Sequence, residues 1–549
     1  MTEWLLSGHN TRESVTVARP VTVTHTEDAL DDQINWFLRQ LAGDEADFDH
    51  TLKPTAVVQG RLYLNINYFA RNMGTVMPFD PESVGVPADK VPADLLEETP
   101  PVPRGQQLRL PLRFRRTYRW AADFYRRLLP ELSHTLGDLY WKLHEVPHDP
   151  LPLVWSLFDP QFQGQLEDIN RAHIVVTLTI TTLDGILRQR VPALLSLFAG
   201  QATATSLIGE RIWELRQTVE KCGPEVRRML AEGVAELDAY QALPEATPLV
   251  AGVRAFLHEY GHRGFRHEAD WATERLTDRP EHILLAVAGQ LSESESPEVR
   301  AEAARQAALE GLRRMNPVRR LFWRRFLRWG QQLIAWREDS KSNLALRQAA
   351  YGLAARHLGR RFYPDHPDDV MMFYKLGELL TFVRSRGEQR VGQDTLARRR
   401  AQFELYRTQP PPPELIWYDP LTRHWRPALE EKEVIAAAQF QGIAASAGSG
   451  PTEGIAVVTN DPLDAGRRLL ELEGPVVLVT RLTDPAWSSL FRRLSAVITE
   501  LGGVISHAAI IARENGLPAV VGIPEATRRV RDGQRLRVDG AAGTVEVLN

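Results

Sequence analysis

Four consecutive prolines, Pro410 to Pro413, interrupt this 549-residue chain where its hydrophobic rhythm changes. Proline has no backbone N–H to give a helix or an inner strand, so no regular element is expected to cross the run. Before it, from about Leu108 to Ala401, apolar residues recur at helical spacing. Ile208 to Val219, Leu249 to Tyr260, Pro297 to Arg314 and Leu321 to Leu353 are examples. After it, beyond the small-residue stretch from Ala444 to Gly450, short apolar strands alternate with helices. Val476 to Thr480 and Ala496 to Thr499 read as strands with a helix, Pro485 to Leu494, between them. Ser506 to Asn515 reads as a helix closed by Gly516 and Pro518, Ala519 to Ile523 as a strand, and Leu536 to Leu548 as a hairpin turning at Asp539-Gly540. The expected fold class is multidomain: a helix-rich α(+β) N-terminal and middle domain followed by a small α/β domain. The first spans 1–407, with 1–105 mixed α/β (Gly60 to Ile66 alternates like a strand) and 106–407 mainly helical. Residues 408–440 read as a Pro-rich linker and 441–549 as the α/β domain.

Composition removes several function classes. With 66 basic and 70 acidic side chains the formal charge is −4, without the basic excess of a nucleic-acid binder. The arginine-aromatic run from Arg319 to Trp329 reads as an amphipathic helix whose arginines lay their stems along apolar surface. One cysteine, Cys222, excludes a disulfide framework and a cysteine-clustered metal site, and fits a reducing, cytoplasmic setting. No run of about 18 apolar residues predicts a membrane span, and the N-terminus lacks a signal pattern. His258-Glu259-Tyr260-Gly261-His262 matches the H-E-x-x-H pattern of zinc peptidases, which needs both histidines on one helical face. Gly261 and Gly264 predict a helix end near Tyr260, and Phe265 stands where the extended pattern has glycine, so no metal site is expected.

A stronger pattern lies between Thr499 and Gly516. A strand runs into Gly502-Gly503, which permit a tight turn, and then into a helix for which Ser506 is a natural N-cap. His507 falls in the first helical turn, where free N–H groups and the positive helix end favour an anion. That position would lower the histidine's pKa and leave a neutral imidazole able to act as a nucleophile. A capped, partly buried structural histidine satisfies the same pattern, and the residues alone leave both readings open.

The Gly502-Gly503-x-x-Ser506-His507-Ala508-Ala509 core, continuing to Gly516-Leu517-Pro518-Ala519-Val520-Val521-Gly522-Ile523, resembles the phosphohistidine (swivelling) domain of the phosphoenolpyruvate-utilising family. The resemblance extends from about Gly442 to Leu548. It implies that His507 is the residue phosphorylated, with Thr499, Gly502, Gly503, Ser506 and Arg513 supporting its loop. Phe256 to Gly264, with Glu268 and Asp270 after it, is similar to the middle domain of rifampicin phosphotransferase-like enzymes. So are Arg337-Glu338-Asp339-Ser340-Lys341 and Asp368-Asp369-Val370. On that likeness Arg337, Glu338, Lys341, His262, Arg263 and Glu268 are expected to bind the phosphoryl group or its acceptor, with His262 a candidate general base or, alternatively, a structural histidine that ends its helix. Arg337 and Lys341, four apart on a predicted helix, share one face. The resemblance further implies a phosphotransferase component that receives its phosphoryl group from a separate ATP-grasp chain, which would hold ATP and Mg2+, since the sequence opens directly in the middle-domain pattern. No cofactor is expected on this chain, and the acceptor would be a small organic hydroxyl or enol. The alternative is a non-enzymatic regulator that binds a ligand or partner without transfer.

Overall fold

The computed structural model describes residues 3–8, 17–43, 48–76, 81, 86, 91–92, 95, 104–145, 149–190, 204–232, 237–264, 268–291, 316–409, 411–413, 415–428, 439–448, 450–483, 487, 490–502 and 506–548. The chain divides into two compact units. One comprises 1–182, 267–273 and 340–432, the other 183–266, 274–339 and 433–549. Helices dominate both, and the small α/β domain lies at the C-terminus, as the two rhythms predict.

The first unit is built on an antiparallel sheet of β1 (Trp4–Ser7), β2 (Thr55–Val58), β3 (Arg61–Asn65), β4 (Leu415–Tyr418) and β5 (Trp425–Pro427), in the order β2-β3-β1-β4-β5. Gln59 and Gly60, both at positive φ (49° and 69°), make the two-residue turn that a β2–β3 hairpin needs. The fully buried Leu5 and Leu6 put β1 at the centre, and β1 pairs with β4 from Trp4↔Tyr418 to Ser7↔Leu415. This pairing corrects the reading of 408–440 as a linker. The helix Gln393–Thr408 ends before the prolines, and the chain then enters the N-terminal sheet. The Tyr63 hydroxyl donates to the carbonyl of Pro413 at 3.2 Å and holds the run in place. The prolines do stop the helix, but the next element is a strand. Its residues Leu415, Ile416 and Tyr418 are buried against partners some 400 positions away, a pairing invisible to local pattern.

The second unit joins a helical cluster to the α/β domain. On the helix Pro248–Tyr260, Leu249, Val253, Phe256 and Tyr260 form one buried stripe. It faces Ile208, Ile212, Leu215 and Val219 of the helix Ala204–Lys221. A Cβ on Gly252 would stand 2.6 Å from Leu215, so glycine sets how closely the two helices approach. Residues 183–266 and 274–339 therefore do not belong to a single 1–407 domain. They group with 433–549, where Leu285 of the helix Glu281–Gly289 lies so close to Gly466 of the helix Pro462–Glu471 that a Cβ there would sit 2.3 Å away. The expected helix at 297–314 lies outside the described residues.

The α/β domain carries β6 (Gln439–Gln441), β7 (Ile443–Ala447), β8 (Thr452–Val458), β9 (Val476–Thr480), β10 (Ala496–Thr499), β11 (Pro518–Val521), β12 (Arg535–Asp539) and β13 (Thr544–Leu548). Their order is β6-β13-β12-β8-β9-β10-β11-β7. The inner run β8-β9-β10-β11 is parallel and the flanking pairs antiparallel. Burial on both faces explains why β9, β10 and β11 read as continuous apolar runs. At the expected hairpin turn, Gly540 packs against β7, where a Cβ would meet the Ser446 carbonyl at 1.9 Å. Of the expected helix 485–494, the described part is a single 3-10 turn, Phe491–Arg493.

Candidate functional site

The carboxyl ends of β8, β9, β10 and β11 all lie at one edge of the parallel sheet, where an open α/β sheet presents its loops to ligands. The loop that leaves β10 carries the histidine. Thr499, fully buried, donates its hydroxyl to the Leu501 carbonyl (2.7 Å) and tightens the exit from the strand. The N–H groups of Glu500 and Leu501 donate to the carbonyls of Thr480 and Arg481, at 3.1 and 2.9 Å, tying this loop to the one after β9. Gly502 sits at φ 123°, a conformation that side chains rarely adopt. Gly503, Val504 and Ile505 lie outside the described residues.

The chain then enters the helix His507–Glu514. Ser506 is the N-cap, in extended conformation, and its hydroxyl accepts the N–H of Ala509 at 3.3 Å. His507 is the first helical residue and is half-buried, its ring edge-on to the fully buried Phe491 at 6.3 Å between centroids. Ala508, Ala509, Ile511 and Ala512 bury the opposite face against the sheet, and Arg513 donates Nε to the Ala445 carbonyl (2.8 Å). The helix is thus held at both ends, with its N-terminal N–H groups beside an accessible imidazole. Such an end attracts an oxyanion. Alanine at Ser506 is expected to cost about 1 kcal/mol by removing the cap. A chemical-denaturation midpoint that does not move would show that the cap bond contributes nothing.

Two supports escaped the sequence reading. Glu500 accepts from both the N–H (2.9 Å) and the hydroxyl of Thr527. Asn460 accepts the N–H of Arg481 (2.7 Å) and the hydroxyl of Thr480 (3.2 Å). A run of Asn or Thr at a strand end carries no local signal of these long-range bonds.

The expected acceptor-side residues divide between the units. His262, Arg263, Arg337 and Glu338 fall in the second, Glu268 and Lys341 in the first. The helix before His262 ends at Tyr260, as the glycines predict. A Cβ on Gly261 would stand 2.3 Å from the Leu257 carbonyl and 2.5 Å from Thr277. His258 is exposed on the helix and His262 is buried beyond the helix end, so the two do not share a helical face. Among the described residues no group of His, Cys, Asp and Glu could hold a metal.

His262 lies among the buried Arg263 and Arg275, the latter donating to the His262 carbonyl at 3.5 Å. Burial, reinforced by the two arginine charges, pushes its pKa down to about 3. So weak a base suits the structural, helix-ending reading of His262 better than the general-base one. Because the folded value lies below the ordinary 6.5, the unfolded chain binds the proton first as pH falls. Stability is therefore whole above pH 6.5 and drains between 6.5 and about 3, by about 2 kcal/mol at pH 5. His25, buried and near Arg347, shifts in the same direction. Urea unfolding of His262→Gln should show a shallower loss from pH 7.5 to 5 than the parent protein; identical slopes would contradict this.

Arg337 and Glu338 lie side by side on the helix Pro317–Phe362, both buried, with Nη1 to Oε1 at 2.9 Å. Lys341, half-buried, follows one turn later. Glu268 is partly exposed, and nearby Asp270 takes the Thr22 hydroxyl (2.9 Å) and pairs with Arg19 (3.5 Å). In the arginine-aromatic run, Leu321 is 69% exposed, and Arg324 and Arg325 face solvent. No helix among the described residues is long and apolar enough to cross a membrane.

Comparison with known proteins bears on both units. Residues 472–543 match the mobile domain of PEP-utilising enzymes, and residues 171–338 match the fourth domain of rifampicin phosphotransferase. The chain is 32% identical over 364 residues to a rifampicin phosphotransferase from a Streptomyces species, covering 63% of this chain and 40% of that protein. It is 30% identical over 345 residues to the rifampicin phosphotransferase of Streptomyces sviceus, covering 59% and 38% respectively. A phosphoenolpyruvate synthase of Aeropyrum pernix is 48% identical over 75 residues, 14% of this chain and 9% of that one. The matched region thus spans about 40% of the length of the curated rifampicin phosphotransferases.

Proposed function

We propose that this chain, which carries the mobile domain of PEP-utilising enzymes together with a rifampicin phosphotransferase fourth domain, is the carrier and acceptor-binding component of a cytoplasmic phosphotransferase. The observation that carries the reading is His507 itself, an accessible imidazole at a capped helix start on the carboxyl edge of a parallel sheet. In the first half-reaction a neutral ring nitrogen of His507 attacks the β-phosphorus of ATP held by an ATP-grasp partner that would also hold Mg2+; AMP leaves, and water takes the γ-phosphate as inorganic phosphate, so that one phosphoryl group stays on the ring. The P–N bond forms as a P–O bond of the nucleotide breaks, and the backbone N–H groups of the helix end compensate the phosphoryl charge. In the second, the oxygen of a small hydroxyl or enol acceptor attacks the same phosphorus. The P–N bond breaks, the hydroxyl proton passes to a base, and neutral His507 returns. Splitting the transfer through a covalent intermediate lets two separate sites share the chemistry. Arg337 and Lys341 are the groups proposed to meet the phosphoryl charge on the acceptor side. The buried Glu338 at Nη1 holds the guanidinium in place.

The test is phosphorylation with ATP labelled in each phosphate in turn. This chain alone is expected to take up no label. Adding an ATP-grasp protein of the same family should load it, with AMP as the nucleotide product. Label that stays off the protein with every donor tried, while the protein binds a partner or ligand, would leave a regulator as the surviving reading.

A further inference from the structure

The first unit contains a cavity of about 1000 Å³, walled by the C-terminal half of the helix Pro20–Ala42, the segment Phe48 to Pro54 and the helix Arg104–Asp123. It lies outside both matched segments, 171–338 and 472–543. Its charges are not balanced within the cavity. Asp32 is paired with Arg171 (3.0 Å) and Asp49 with Arg71 (3.4 Å), and neither arginine lines the cavity. Asp31 accepts the Thr55 hydroxyl at 2.6 Å, and burial raises its carboxyl to about 6. Arg113 is committed to the helix end. Its Nη1 donates to the carbonyls of Leu41 (3.2 Å) and Ala42, crossing Gly43 at φ 77°, where a Cβ would lie 2.5 Å from Nη2. That leaves Arg39 and Arg116, exposed at the lining and without a salt bridge among the described residues, while Lys53, also exposed at the lining, already offsets the charge of Asp31. Trp36 lines the cavity, and behind it the ring of Trp120, at 4.8 Å between centroids, fixes its orientation. Trp36 and Arg39 are three apart on one helix, so the apolar face and the charge point the same way.

We propose that this cavity binds a flat aromatic anion, its ring against Trp36 and its oxyanion between Arg39 and Arg116. Two arginines without salt bridges, over a cavity whose carboxylates are offset by Arg171, Arg71 and Lys53, favour an anion. The Trp36 ring at the lining favours a planar body. This site does not depend on the phosphotransferase reading, and its failure would leave that reading untouched.

Isothermal titration of the full chain with 1-naphthoate tests it. Binding is expected with Kd on the order of 1 mM or tighter, the strength a ligand of that size supports. Acetate, which lacks the ring, and 1-naphthalenemethanol, which lacks the charge, should each bind at least about tenfold more weakly. The double variant Arg39→Glu/Arg116→Glu changes two exposed side chains and should keep its circular-dichroism melting profile while losing about tenfold or more in naphthoate affinity. Arg337→Ala should bind naphthoate normally. The proposal is overturned if no heat appears at ten times the expected Kd, if the alcohol binds as tightly as the acid, or if the double variant binds unchanged. It is equally overturned if affinity is lost in Arg337→Ala instead, which would place the anion on the other helix.

Discussion

Replacing His507 by alanine is expected to abolish phosphoryl transfer to any acceptor while leaving the fold in place. A carrier nucleophile has no substitute, because without a ring nitrogen no P–N bond can form and the two half-reactions lose their common intermediate. The side chain is half-buried at a helix start with its ring edge-on to Phe491, so truncation removes little packing. The wild-type phosphate should be labile in acid and stable in base, the behaviour of a phosphoramidate rather than of a serine ester. Peptide mapping should place it on His507 and not on the adjacent Ser506, whose hydroxyl already accepts the N–H of Ala509. Phosphate on another residue, or undiminished transfer by the alanine variant, would end the carrier reading.

Alanine at Arg337 or Lys341 is expected to slow transfer from phosphorylated His507 to the acceptor by about 100-fold, the size seen when one electrostatic stabiliser is lost. Loading of His507 by the donor should be nearly unaffected, because that half-reaction does not involve these groups. The two positions differ in one instructive respect. Arg337 is buried against Glu338 at 2.9 Å, so its removal leaves a buried carboxylate without that guanidinium, and some loss of stability will accompany the kinetic effect. Lys341 is half-buried, and its removal leaves the Arg337–Glu338 pair intact. Single-turnover kinetics on pre-loaded protein separate the half-reactions, and melting curves separate folding from rate. Equal losses in both half-reactions, or none in either, would remove these residues from the acceptor side.

Local pattern was sufficient for the histidine loop. Paired glycines after an apolar strand, a Ser N-cap and an alanine-rich helical turn are instructions read over a dozen residues. The structure places Ser506 and His507 where they predict, although Gly503 lies outside the described residues. The end of the helix at Tyr260 was legible for the same reason, since a Cβ at Gly261 would collide with the preceding carbonyl. Periodicity likewise separated a helix-rich region from a small α/β domain, because the 3.6-residue stripe and the buried strand are written into the chain itself.

Tertiary structure alone decided how those pieces group. The prolines promised a linker, yet Leu415 to Tyr418 pair with Trp4 to Ser7, and no property of either segment names the other. The helices of 183–266 and 274–339 carried no mark assigning them to the C-terminal domain; a leucine meeting a glycine, Leu285 on Gly466, contributes to that contact. The residues left His262 open as a base or a structural histidine, and its basicity is set by burial and by the guanidinium groups of Arg263 and Arg275, the second of which lies 13 positions along the chain. Propensity, capping and turn chemistry act between neighbours and can be read in order. Burial, strand partnership and the field at a titrating group are sums over residues brought together only by folding.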